Sequence, residues 1–95
     1  MANCRSLKKD VNSLHQAVIN ECSTFLDHSP YLNQENVQVI IDDANALRND
    51  LMNRINNPLS ENNSPASVRT YYRNIREELN DRTITLIERL NKLPR

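Results

Sequence analysis

Glycine is missing from all 95 residues, and no other feature narrows the possible folds as far. Glycine supplies the positive-φ positions of tight hairpins, the usual helix C-caps and the loops that cradle phosphates. A chain without it has few routes to a compact β-structure or to a backbone pressed against a ligand. Long helices joined by Pro, Asn and Ser loops remain open to it, and the rest of the sequence follows that route.

Apolar residues recur in three runs at helical spacing. Cys4, Leu7, Val11, Leu14, Val18, Cys22 and Phe25 share one helix face at 100° per residue, with Ile19 and Leu26 on its shoulder. Asn3 suits the N-cap, and Asp27-His28-Ser29-Pro30 ends the run because a residue before proline leaves the α region. Asn33 is expected to cap the second helix through its side chain, with Leu32 and Val37 as a hydrophobic staple and Glu35 favourable in the first turn. Val37, Ile40, Ile41, Ala44, Leu47, Leu51 and Ile55 make its stripe. Asn56-Asn57-Pro58 stops it, with asparagine expected in the left-handed role glycine usually takes.

A polar loop follows, then Ser64-Pro65 as N-cap and first helical residue. The third stripe is Val68, Tyr72, Ile75, Leu79, Leu86, Leu90 and Leu93, flanked by Tyr71 and Ile87. The predicted fold is all-α: a single domain over 1–95 forming an antiparallel up-down-up three-helix bundle, with helices near 4–27, 34–56 and 65–92. Short connections favour antiparallel neighbours, and the bundle should be about 35–40 Å long. Fifteen asparagines make these helices dependent on tertiary packing, since Asn is a mediocre helix former.

Twelve basic and twelve acidic residues leave a net charge of zero, which argues against attraction of the whole domain to nucleic acid or an anionic membrane. No apolar run reaches the ~18 residues of a membrane span. The charged start, Met1-Ala2-Asn3-Cys4-Arg5, does not read as a signal peptide, so a cytoplasmic protein is expected. Cys4 and Cys22 lie about 27 Å apart on one helix and cannot bridge each other; both read as buried free thiols, with an accessible thiol the alternative for Cys4.

No catalytic or metal-ligating pattern emerges. His15 and His28 lack a partner at ligand spacing, and the adjacent pairs Asp42-Asp43 and Glu77-Glu78 diverge around their helices. No cofactor, metal or enzymatic activity is expected. Three groups of residues invite a functional reading. Arg48 and Arg82 interrupt apolar stripes as semi-buried charges, either awaiting an anion or paired with an acid such as Glu21, Asp10 or Glu78. Arg69, Arg73 and Arg76, beside Tyr71 and Tyr72, have the form of an anion- or nucleic-acid-contacting face, to which Lys8 and Lys9 could add; the plainer reading is a solvated face with an Arg73–Glu77 pair. Lys8 and Lys9 sit near a helix N-terminus, where positive charge is unfavourable. Ile19, Val39 and Ile84 fall at stripe edges or outside them and near one end of the bundle, as an oligomer interface would. Asn45, Asn49 and Asn53 form an uncharged ladder on the second helix.

The N-terminal box NCRSLKKDVN (3–12) and the INECSTFL stretch (19–26), within a three-helix pattern, resemble a small uncharacterised all-helical bacterial protein family. The resemblance implies a helical bundle in a bacterial cytosol and brings no activity or binding residues. The sequence thus points to a non-enzymatic protein–protein interaction module, self-associating through a helix face. The alternative is a small regulatory module binding nucleic acid or another anion through the arginines of the third helix.

Overall fold

A computed structural model describes residues 4–28, 33–57 and 65–94, without the side chains of Cys4, Pro65 and Ala66. Three α-helices make up these segments: α1 (Cys4–His28), α2 (Gln34–Asn56) and α3 (Pro65–Asn91). Each packs against both others, giving an all-α three-helix bundle. Cross-helix bonds fix the directions. Asn12 and His15 of α1 meet Arg48 and Asn45 of α2, so the partner's number falls as the first rises and the pair is antiparallel. Asp43, Asp50 and Arg54 of α2 meet Arg89, Arg82 and Glu78 of α3, again antiparallel. Asp10 meets Arg76, so α1 and α3 run parallel.

The same bonds give the axial register. A residue of α3 lies level with one roughly 66–72 positions earlier in α1, so α3 overhangs one end and α1 the other. That stagger stretches the bundle to 52 × 18 × 17 Å, beyond the ~40 Å of its longest helix.

The core is built from the predicted stripes. Leu7, Val11, Val18, Cys22 and Phe25 of α1, the whole α2 stripe except Ile41, and Ile75, Leu79, Leu86 and Leu90 of α3 are buried. Leu14, Ile41, Tyr72 and Leu93 pack half-buried against them. Val68 departs from expectation at 40% exposed, because the register puts it past the described ends of both neighbouring helices. Thr83, absent from the predicted core, is buried at 8% exposure. With Ala44 it lines a cavity of about 10 Å³ beneath His15 and Arg48, close to the space of one water.

The helix ends depart from expectation most. Asn33 adopts φ 64°, ψ 19° and makes no side-chain cap bond. It is the sole non-glycine with positive φ among the described residues. Its carbonyl accepts the first helical bond from Val37 at 2.8 Å, while its side-chain amide donates to the Pro94 carbonyl at 2.6 Å. The left-handed asparagine therefore starts α2 and ties it to the end of α3. At the other end Asn57 is not left-handed (φ −128°, ψ 68°); its N–H and side-chain amide both donate to the Asn53 carbonyl at 3.0 Å. The expected caps Asn3 and Ser64 and the staple residue Leu32 lie outside the described residues.

Candidate functional site

Each seam between two helices carries its own chemistry. On the α2/α3 seam Arg54 bonds both carboxylate oxygens of Glu78, at 3.0 and 2.9 Å. Arg82 bonds Glu78 at 2.7 Å and Asp50 at 3.2 Å, and Asp50 returns to Arg54 at 3.3 Å. Opposite charges thus alternate around a closed square, and Arg89–Asp43 at 2.8 Å continues the seam. Arg82 meets one expected acid, Glu78, but it is exposed and not semi-buried, because its guanidinium spans the outer edge of the seam.

These bonds set the one large carboxylate shift. Hydrogen bonds from Arg54 hold the Glu78 carboxyl at about 2, below its ordinary 4.5, against the opposing effect of partial burial and with a further contribution from Arg82. The Arg54 guanidinium is shifted upward by the same contacts. Perturbed groups often mark active sites, but here each perturbed group is the other's cause. The folded value lies below the unfolded one, so the stabilisation is complete above the unfolded value and lost as pH falls from about 5 toward 2. Both side chains are about one-third exposed, and screening reduces the effect to about 1 kcal/mol. Urea unfolding should show Glu78→Gln less stable than the parent at pH 7 by about that amount, with the gap closing near pH 2. A constant gap would contradict the network.

The α1/α2 seam carries two positive charges, Arg48 of α2 and half-buried Lys8 of α1, which shares a flank with Asn12 and His15, and no acid among its cross-helix bonds. Half-buried Arg48 donates from Nε to Asn12 Oδ1 at 2.8 Å and not to an acid; Asn12 faces it across the seam, whereas Asp10 faces α3. His15 Nε2 lies 2.7 Å from Asn45 Oδ1. Asn49 approaches Arg48, and Asn53 accepts from the Asn57 amide. The asparagine ladder is therefore bonded within the chain, either across this seam or along its own helix.

The tyrosines expected beside a basic face are used internally. Tyr71 Oη donates to the Arg54 carbonyl at 2.8 Å and Tyr72 Oη to the Ile55 carbonyl at 3.4 Å. With Asn57 on the Asn53 carbonyl, they satisfy carbonyls that the last turn of α2 leaves without helical partners. The rings pack edge to face, 5.4 Å between centroids, and half-buried as they are they offer little to a stacked base. The sequence signal was adjacency of two tyrosines one loop after a helix end, legible only with the register known.

Of the basic stripe, Arg76 is committed to Asp10. Arg69 and Arg73 are exposed and outside the ion pairs, Glu77 included. Lys9 is exposed and Lys8 half-buried. Cys22 is fully buried, and burial, with Glu21 adding, pushes its thiol pKa up, the opposite of activation; the Cys4 side chain lies outside the described residues. Among the described residues there is no cluster of metal-ligating side chains and no helix long and apolar enough to cross a membrane.

Ile19, Val39 and Ile84 do not come together. Ile19 follows His15 by four residues, on the flank of α1 facing α2, and is half-buried against the core. Val39 precedes Asp43 by four, on the flank of α2 facing α3. Ile84 follows Arg76 by eight, on the flank of α3 facing α1. Helical neighbours at four and eight residues share a flank, so the three sit on three seams. Val39 and Ile84 are 50% and 56% exposed.

The fold sorts the charges that cancel in the sequence. Toward the end holding the N-termini of α1 and α3 lie Arg5, Lys8, Lys9, Arg48, Arg54, Arg69, Arg73, Arg76 and Arg82, against Asp10, Asp50, Glu77, Glu78 and Asp81. Toward the opposite end lie Glu21, Asp27, Glu35, Asp42, Asp43 and Glu88, against Arg89 and Lys92. The surplus is four positive charges at one end and four negative at the other, among the described residues. Zero net charge thus conceals an electric dipole along a 52 Å axis. Neither α1 nor α3 has an acid in its first turn, and Asp27 occupies the last turn of α1. Arg5 and Asp27 are the reverse of what the α1 dipole favours, at a typical cost of 0.3–1 kcal/mol per well-placed charge, whereas His28 in the last turn of α1 and Arg89 in the last turn of α3 are favourable. No protein family, curated protein or solved structure matches the chain.

Proposed function

We propose that this protein is a non-enzymatic helical interaction module that associates with itself. The carrying observation is the end-to-end charge separation. At Arg5 and Asp27 it opposes the dipole of α1, and at both ends it includes exposed charges outside the ion pairs: Arg5, Lys9, Arg69 and Arg73 at one, Glu21, Asp27, Glu35 and Glu88 at the other. Local preferences broken without compensation inside the chain mark the places where function is sought. A second copy in the opposite orientation would supply the compensation, positive end against negative.

Light scattering is expected to report a dimer at low ionic strength and a shift toward monomer near 1 M salt, where the screening length falls to ~3 Å. Monomer at millimolar concentration and low salt would overturn the reading. The unpaired Arg69 and Arg73 with Lys8 and Lys9 favour one competing reading, binding of nucleic acid or another polyanion at the positive end. Titration with a single-stranded oligonucleotide separates the two. Micromolar affinity, steeply salt-dependent and weakened by Arg73→Ala, in a protein that stays monomeric would favour the competitor.

A further inference from the structure

Among the described residues, every arginine that bridges two helices meets a carboxylate except Arg48. Arg54, Arg76, Arg82 and Arg89 each pair with an acid of the neighbouring helix. Arg48 donates to Asn12 Oδ1 at 2.8 Å and to Asn49 Oδ1 at a longer 3.4 Å. Amide oxygens satisfy N–H groups without cancelling the charge, and a charge drawn out of water is costly until it is cancelled. Lys8, half-buried one turn before Asn12, adds a second cation to the same seam. Asp42, on the outer side of α2, lies about 9 Å from Arg48 along the helix axis and accepts from Gln38 instead.

Behind Arg48 lies the cavity of about 10 Å³, to which all three helices contribute: Val11 and His15 from α1, Ala44 and Arg48 from α2, Thr83 from α3. A threonine within a helix can turn its hydroxyl back to the carbonyl four residues earlier, as Thr85 does to Asp81 at 3.0 Å. Thr83, only 8% exposed, makes no such bond and has no side-chain partner among the described residues. No enclosed polar side-chain atom among them lacks a partner, so the Thr83 oxygen borders open space. The space at Thr83 is this cavity.

We propose that the cavity is a binding site for one monatomic anion of the halide class, held between the Arg48 guanidinium and the Thr83 hydroxyl. A guanidinium carries five N–H donors, and Arg48 uses only two on amides. The Thr83 hydroxyl adds a charge-assisted hydrogen bond from α3. His15, with Nε2 engaged by Asn45, closes the outer side. A space close to that of one water excludes carboxylate, phosphate and sulfate groups, whose several oxygens need more room. A halide carries its whole charge on a single atom not far from water in size. Water alone would satisfy Thr83 and leave the Arg48 charge uncancelled. The site stands independently of the self-association proposed above.

Sodium chloride replacing sodium gluconate at constant ionic strength holds screening fixed. Under that exchange the NMR methyl signals of Val11, Ala44 and Thr83 should shift along a saturating curve. Bromide should reproduce the shifts and sulfate should not. Thr83→Val keeps the side-chain shape and should keep the helical circular dichroism. It should weaken chloride binding at least about tenfold, the least that a hydrogen bond to a charged group contributes. Thr83→Ser retains the donor and should retain the binding, whereas Arg48→Met should abolish it. Spectra that do not distinguish chloride from gluconate would mean that the cavity holds water only, and would overturn the site. Saturating shifts that persist unchanged in Thr83→Val would put the anion outside the cavity and overturn it equally.

Discussion

Leu51→Ala is expected to lower the unfolding free energy by about 3 kcal/mol, within the 2–5 kcal/mol typical of buried leucines. Leu51 is 0% exposed and sits in the α2 stripe, which faces both other helices. Its truncation removes contacts from the whole cross-section and opens a hole in a bundle only 18 Å wide. A domain of this size holds about 5–10 kcal/mol in total, so the variant forfeits a large share. Thermal melting should fall by about 12–24 °C at the usual 4–8 °C per kcal/mol. Helical signal and tertiary packing should be lost together, because asparagine-rich helices have little stability alone. A shift below about 1 kcal/mol would mean the bundle collapses around the cavity far more easily than native cores do.

Asn33→Val should have the next largest effect, about 2–3 kcal/mol. A β-branched residue at φ 64° clashes with its own backbone, costing ~1–2 kcal/mol, and the bond to the Pro94 carbonyl is lost as well. Asn33→Gly separates the two contributions. Glycine accepts the left-handed backbone but cannot make the tether, so it should cost no more than about 1 kcal/mol. Urea unfolding of the three proteins tests the order Asn, Gly, Val. Val as stable as Gly would show that the left-handed backbone is not required there.

Element type and core were legible because both are local. The stripes recur at helical spacing, prolines mark the breaks, and observed helix bounds differ from 4–27, 34–56 and 65–92 by one residue at two C-terminal ends. Cap chemistry was less legible. Asparagine was expected to cap α2 with its side chain and to turn left-handed at the C-terminus. Instead the left-handed asparagine is at the start, its side chain claimed by Pro94 some sixty residues away. Local rules rank what a residue prefers next to its neighbours, and a distant carbonyl can outbid them. Tyr71 and Tyr72 teach the same point, since their hydroxyls end another helix. Ile19, Val39 and Ile84 were grouped by lying at or outside their own stripe edges and by axial height, and without the rotation of each helix against its neighbours that puts residues on three seams into one patch.

The sequence by itself determined an all-helical chain, the inward stripe of each helix and the absence of glycine-made turns, because these depend on residue type and spacing within one segment. Only the tertiary structure decided which charges face each other, which asparagines bond across a seam and where the unpaired charges lie. Those follow from register and rotation between helices, set jointly by all three stripes. Positive and negative residues cancel along the chain, yet those among the described residues separate along the bundle, since antiparallel packing brings the N-termini of α1 and α3 to one end.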